Sequence, residues 1–295
     1  MNQPTVVADT TSETGEGPVW HPEEELLYWV DIPNGILLAY DPATDTHEPV
    51  YRTDVIGGFT IQRDGALLLF KAAGSVEVWD HGSTNVITDY HSKMTETRFN
   101  DVIADPAGGV FCGTMPTENS PGQLYRLGTD GEFSLILDDV DLPNGMGFSP
   151  NNDRFYFTDT CFFDEEHDGL IYAFDFDSDT GEITNQEVII EATDIPGLPD
   201  GMTVDAEGCI WSAQWNGNRV VRFDTSGNVL ESIEFPAKKV SSVAFGGPEY
   251  RHLYVTTATG GNDREVEGSG AGALFKLEPE VRGRAEFRSD VRVGT

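Results

Sequence analysis

Six short apolar runs recur along the chain: LYWVDI from Leu27, LLLFKA from Leu67, VFCGTM from Val110, FYFTDT from Phe155, IWSAQW from Ile210 and LYVTTA from Leu253. Turn formers precede each of them: HPEEE, RDG, DPAGG, PNND, DAEG and GPEY. A second series follows (GILLAYD, GSVEVWD, GQLYRLG, GLIYAFD, NRVVRFD, GALFKLE), and most of its members alternate in polarity as a half-buried strand does. A weaker third series closes most units, as in HEPVY, NVITDY, FSLIL and EVIIEA. Ahead of each member of the first series stands a fourth segment: EGPVW, GGFTI, NDVIAD, NGMGFS, DGMTVD and SSVAFG. No stretch carries a sustained helical period with caps. Six units of four strands predict an all-β fold, a six-bladed β-propeller forming a single domain over residues 1–295. One unit cannot cover its own apolar faces, so the units must close into a ring. The strand-like TVVAD near the N-terminus is expected to supply the outer strand of the last blade and clasp that ring.

In such a ring the first strand of each blade lines the central channel, and its opening residue faces one mouth. The repeat register puts Glu16, Gly57, Asn100, Asn144, Asp200 and Ser241 or Ser242 at that position. The echo of LPNGM at Leu142 in LPDGM at Leu198 falls on two of these units, with an amide exchanged for a carboxylate. Taken singly, Asn-Gly and Asp-Gly are turn dipeptides. Four oxygen-bearing side chains aimed at one point are a hard-cation site, and two carboxylates balance a divalent charge. Without His or Cys, calcium, magnesium or manganese suits it better than zinc, and water or substrate must complete the shell. The glycine after the mouth residue in units one, four and five leaves room for an unusual backbone angle.

Acids outnumber bases 51 to 18, for a formal charge of −33. Only Lys71, Lys93, Lys238, Lys239 and Lys276 are lysines. Such a field repels phosphate backbones and anionic bilayers, so neither nucleic acid nor a membrane is expected as partner. The acids are scattered rather than gathered into a tail, which fits a salt-rich cytoplasm that screens self-repulsion, and hence a halophilic protein. Cys112, Cys161 and Cys209 are odd in number and far apart, so they read as buried small apolar side chains and not as a disulfide framework. The N-terminus lacks a basic start and an apolar run of signal length, and no stretch reaches membrane-spanning length, which leads to the expectation of a cytoplasmic protein, monomeric or weakly homo-oligomeric. There is no G-x-S-x-G elbow, no phosphate loop and no HExxH.

EGPVW…LYWVDI, RFNDVIADPAGGVFCGTM, LPNGMGFSPNNDRFYFTDT, DGMTVDAEGCIWSAQWNGNRVVRFD and FGGPEYRHLYVTTA…GALFKL together resemble the gluconolactonase and regucalcin (senescence marker protein) family, in order over nearly the whole chain. The resemblance implies a six-bladed propeller with one divalent metal in the channel mouth that hydrolyses a sugar lactone to the aldonic acid. It implies Glu16, Asn144 and Asp200 as metal ligands, and Arg98, Asn100 and Glu118 as substrate-binding residues. Calcium is the first choice of ion, with magnesium, manganese or zinc as alternatives. Asp200, a ligand beside any activated water, is the expected catalytic base. The plainer alternatives are that Arg98 pairs with surface acids and that Glu118 is a solvated loop acid. Asp31 and Asp159, at an equivalent second-strand position, are expected to bond loop amides. Trp215 and Phe162 are read either as pocket walls or as blade packing. Two departures stand out. Val102 occupies a position where glycine often follows Asn-Asp, and Gly260–Gly272 is rich in glycine and charge. Two other functions use the same site: a broader esterase acting on aryl lactones or phosphotriesters, and a calcium-binding regulator or scaffold without catalysis.

Overall fold

A computed structural model describes residues 3–163 and 168–292; the expected single-domain span of 1–295 therefore includes residues 1–2, 164–167 and 293–295, which lie outside the described residues. Six four-stranded antiparallel sheets form the blades. Blade one runs from Gly15 to Arg52, blade two from Gly58 to Thr88, and blade three from Phe99 to Val140. Blade four spans Pro143–Glu191 and blade five Leu198–Glu234. Blade six takes three strands from Lys239–Leu277 and its outer strand from Thr5–Ala8, which pairs antiparallel with Leu274–Leu277. The N-terminal clasp is therefore as expected. Ala8, on that strand, is fully buried.

Blade interiors are strands with both faces covered, so they read as near-continuous apolar runs: LLLF, VFCGT and the core of RFYFTD are buried throughout. Outer strands have one wet face, which is why Thr46–Arg52 and Ser83–Thr88 are mostly exposed and carry the weakest signal in the sequence. Aromatic side chains fill the wedges between blades. Phe111 of blade three stacks on Phe155 of blade four at 4.6 Å between ring centroids, and Trp211 of blade five meets Phe245 of blade six edge-on at 5.9 Å. Cys112 and Cys161 are buried as expected, whereas Cys209 is half-buried.

The segment after the last blade strand is a strap that the repeat pattern did not reveal. It crosses the far end of the channel and bonds to turns of several blades. The Ala206 N–H donates to Arg282 O, Gly283 N–H to Tyr250 O, Ser289 N–H to Ile61 O and Asp290 N–H to Gly108 O. The Arg284 guanidinium donates to Ser149 O at 2.9 Å. Gly260–Gly272 is also tied down. Arg264 donates to Ala271 O and Asp9, and Lys239 pairs with Glu267 at 2.5 Å with both side chains buried or nearly so.

Candidate metal and substrate site

The first strands are not regular at the channel mouth. Their pairing register slips between Glu16 and Val19, Phe99 and Val102, Pro143 and Met146, Pro199 and Met202, and Val240 and Ser242. A bulge of this kind puts two residues against one and re-aims a side chain. Blade two, whose Gly58–Ile61 strand pairs without a slip, has Gly57 at the mouth and contributes no side chain there. The bulge thus coincides with the blades that present an oxygen-bearing side chain at the mouth.

The glycines after Glu16, Asn144 and Asp200 serve two purposes. Gly17 adopts φ +54°, the left-handed region that a side chain disfavours. Gly145 and Gly201 do not. A Cβ on Gly145 would stand 2.5 Å from Asp200 O, and one on Gly201 would stand 2.1 Å from the Ser242 hydroxyl oxygen, so glycine there admits the neighbouring blade. The unusual-angle expectation therefore holds in unit one, and close approach replaces it in units four and five.

Glu16, Arg98, Asn100, Asn144, Thr160 and Asp200 form the polar floor of a cavity of about 220 Å³. Met115, Leu142, Phe162, Phe163 and Trp215 form an apolar wall over them. Trp215 and Phe162 are thus pocket walls, and the Lys239 ammonium lies over the Trp215 ring at 5.7 Å from its centroid. No residue of Gly260–Gly272 lines this cavity. Glu118 stands apart: it is exposed in the Thr117–Ser120 turn and is not among the lining side chains. A smaller space of about 60 Å³ lies deeper in the channel, lined by Gly17, Asp101, Val102, Ser242 and Glu286. The Val102 methyls face Gly58 of blade two there, so the absence of a side chain at Gly58 accommodates the bulk at 102.

The floor is a connected network. The Gly17 N–H donates to Glu16 Oε2 at 2.8 Å. Arg98 Nη1 donates to Phe99 O at 2.8 Å and to Asn100 Oδ1 at 3.0 Å. Among the described residues, no other acceptor takes its remaining N–H groups. Asn100 Nδ2 donates to Pro143 O at 2.9 Å and to Asn144 Oδ1 at 2.5 Å, so this amide braces the first strand of blade four and the side chain it presents. Asp159 accepts from the N–H groups of Asp141, Leu142 and Cys161, and Asp31 accepts from that of Thr14, the structural role expected for both.

Electrostatics mark this mouth as short of positive charge. Burial, then the nearby Asp101 carboxylate, pushes Glu16 up to about 8. Burial, then Glu16 and Asp101, holds Asp200 well above the usual carboxylate range. Burial raises Asp101 to about 6 and lowers Arg98 to about 10. Clustered buried carboxylates facing one guanidinium ionise together only if a further cation joins them. The donor set therefore fits a hard divalent ion. Among the described residues no three His, Cys, Asp or Glu side chains gather in ligating reach, so such an ion would take its third protein oxygen from the Asn144 amide.

Known proteins resemble this chain along nearly its whole length. Residues 14–259 match the family described as SMP-30/Gluconolactonase/LRE-like region. The chain is 49% identical to pentonolactonase XacC of Haloferax volcanii, an alignment covering 98% of this chain and 99% of that protein. It is 32% identical to human regucalcin over 89% of this chain and 90% of that one. The solved structure of a calcium-binding protein, regucalcin, from Agrobacterium tumefaciens superposes with a TM-score of 0.87 at 28% identity, covering 96% of each chain. The match over all but the two ends, with the mouth residues inside it, places the chain in the SMP-30/gluconolactonase/LRE-like family.

Proposed function

We propose that the protein hydrolyses a sugar lactone to its aldonic acid, with a divalent ion, calcium first, held by Glu16, Asn144 and Asp200. The pairing of a buried, cation-deficient oxygen cluster with an apolar wall carries this reading. A sugar lactone has a hydroxylated edge for the free donors of Arg98 and a C–H face for Trp215. The match to a pentonolactonase along nearly the whole of both chains supports a five-carbon lactone. The ion, when bound, supplies polarisation of the lactone carbonyl and charge for the oxyanion. Asp200 takes a proton from the attacking water as its oxygen bonds to the carbonyl carbon. The ring C–O bond then breaks, and that proton passes to the departing ring oxygen. Arg98 orients the substrate, and Asn100, with both amide hydrogens committed, holds Asn144. Glu118 would reach substrate only from the rim. The leucine, methionine and phenylalanine wall suits aryl lactones or esters as secondary substrates. A calcium-binding role without turnover is the reading to eliminate.

Titrating released acid from pentono- and hexonolactones tests this directly. Asp200→Asn and Glu16→Gln are expected to lower kcat by at least ~100-fold with the fold retained, and a chelator to do likewise. Full turnover by Asp200→Asn would remove it as base; full turnover in chelator would remove the ion.

The acidic, lysine-poor composition further supports a protein adapted to molar salt in a cytoplasm. Among the described residues no helix is long and apolar enough to cross a membrane.

A further inference from the structure

Thr160 lies 2% exposed behind Asn144, at the end of the second strand of blade four. Its hydroxyl oxygen is 2.8 Å from Pro199 O of blade five and 2.6 Å from Asn144 Nδ2. A hydroxyl has one hydrogen to give. A carbonyl oxygen can only accept, so that hydrogen is committed to Pro199. Toward Asn144 the hydroxyl then offers a lone pair, and only the amide NH₂ satisfies it. The amide is thereby held one way round, with Oδ1 on the opposite side, where Asn100 Nδ2 donates to it at 2.5 Å and favours the same orientation. A flipped amide would set two acceptors against each other at 6% exposure.

The register of the next blade supplies the contrast. Asp159 pairs with Pro143 in blade four, and Gln214 pairs with Pro199 in blade five. The blade-five counterpart of Thr160 is therefore Trp215, which has no hydroxyl. Asp200 has no such lock, and a carboxylate, with oxygens on both branches, needs none. Pro199, whose carbonyl accepts from Thr160, immediately precedes Asp200.

On the cation reading above, we propose that Thr160 is a positioning residue for the cation site. Its hydroxyl, acting with the Asn100 amide, orients the Asn144 amide oxygen toward the ion. The experiment is a calorimetric titration with calcium on the purified chain. Thr160→Val is expected to weaken binding by about 10- to 100-fold, and Thr160→Ser to restore it to within about threefold. In an Asn144→Asp background the same valine substitution is expected to change affinity little, because a carboxylate presents an oxygen in either orientation. Wild-type affinity in Thr160→Val, or an equal loss in the Asn144→Asp background, would overturn the assignment. If valine does not fold, as melting would show, Thr160→Ala replaces it in the same cycle. Failure of the wild type to bind calcium, magnesium or manganese would instead defeat the cation reading itself.

Discussion

At the scale of single residues, the two copies of Leu-Pro-(Asn/Asp)-Gly-Met differ at their third position because their neighbours differ. Asn144 meets a hydroxyl that must accept; Asp200 meets no such group. Together with Glu16, Asp200 brings two carboxylates into a buried mouth, and on the proposed function the protons they retain would couple ion binding to pH. Glu16 is raised from 4.5 to about 8. A raised carboxyl pKa favours the protonated folded state, so its stabilising effect is fully present below the unfolded value and is lost as pH rises through the folded one. Without divalent ions, the melting temperature should therefore fall between about pH 4.5 and pH 8, and saturating calcium should suppress that fall. Melting curves across this window, with and without chelator, test the linkage; parallel curves would show that the carboxylates are not the binding groups.

The strand-to-strand turns work at the scale of elements, and they reuse one device. In blade three, Asp105 is fully buried and accepts from Gly109 N–H and from Arg126 Nε at 2.7 Å. In blade five, Asp205 is likewise fully buried and accepts from Cys209 N–H, Trp211 Nε1 and Arg222 Nε. Each aspartate satisfies a turn and anchors an arginine on the third strand, so the first-to-second strand hairpin cannot swing away from its blade. Removing Asp205 orphans the Cys209 N–H and Trp211 Nε1 donors, while Arg222 keeps Glu207 as a partner at 2.7 Å. Asp205→Ala should cost about 2–4 kcal/mol in denaturant unfolding, from the donors left unpaired. A loss under ~1 kcal/mol would reduce the pair to surface decoration. The motifs DPAGG and DAEGC are visible as turns, but their Asp–Arg pairs are not, because the arginine lies two strands later.

For the whole molecule, closure is the governing problem. The ring is shut by the N-terminal strand on blade six and by the strap beneath the channel, whose Ser289 hydroxyl meets that of Thr60 at 2.8 Å. Deleting residues 1–10 exposes the edge of Leu274–Leu277 and should lower the melting temperature by roughly 10 °C or more, read by circular dichroism; an unchanged value would exclude the clasp. The net charge of −33 acts on the same scale. Self-repulsion within a compact body weakens with screening, so the protein should lose stability on dilution from molar to millimolar salt, and a constant melting temperature would refute the halophilic reading.

Six blades, the clasp and the mouth residues were legible because they follow from local facts: strand alternation, turn chemistry and a repeating register. Glu16, Asn100, Asn144 and Asp200 could be placed at the mouth from that register alone, since a ring brings equivalent positions to one axis, and the resemblance singled out Glu16, Asn144 and Asp200. Other features required distant segments to meet. The bulges that aim the mouth side chains depend on the partner strand. The apolar wall of Met115, Leu142, Phe163 and Trp215 draws on three blades. The strap has no alternation to betray it, because its bonds go to turns far away in the chain. Glu118 came from the resemblance and not from the register, and its loop leaves it exposed at the rim. The sequence by itself determined the number of blades, how the ring closes and which residues face the mouth, since short-range periodicity encodes all three. Only the tertiary structure decided which way the Asn144 amide points and how far the carboxylates are stripped of water, since both depend on contacts between blades.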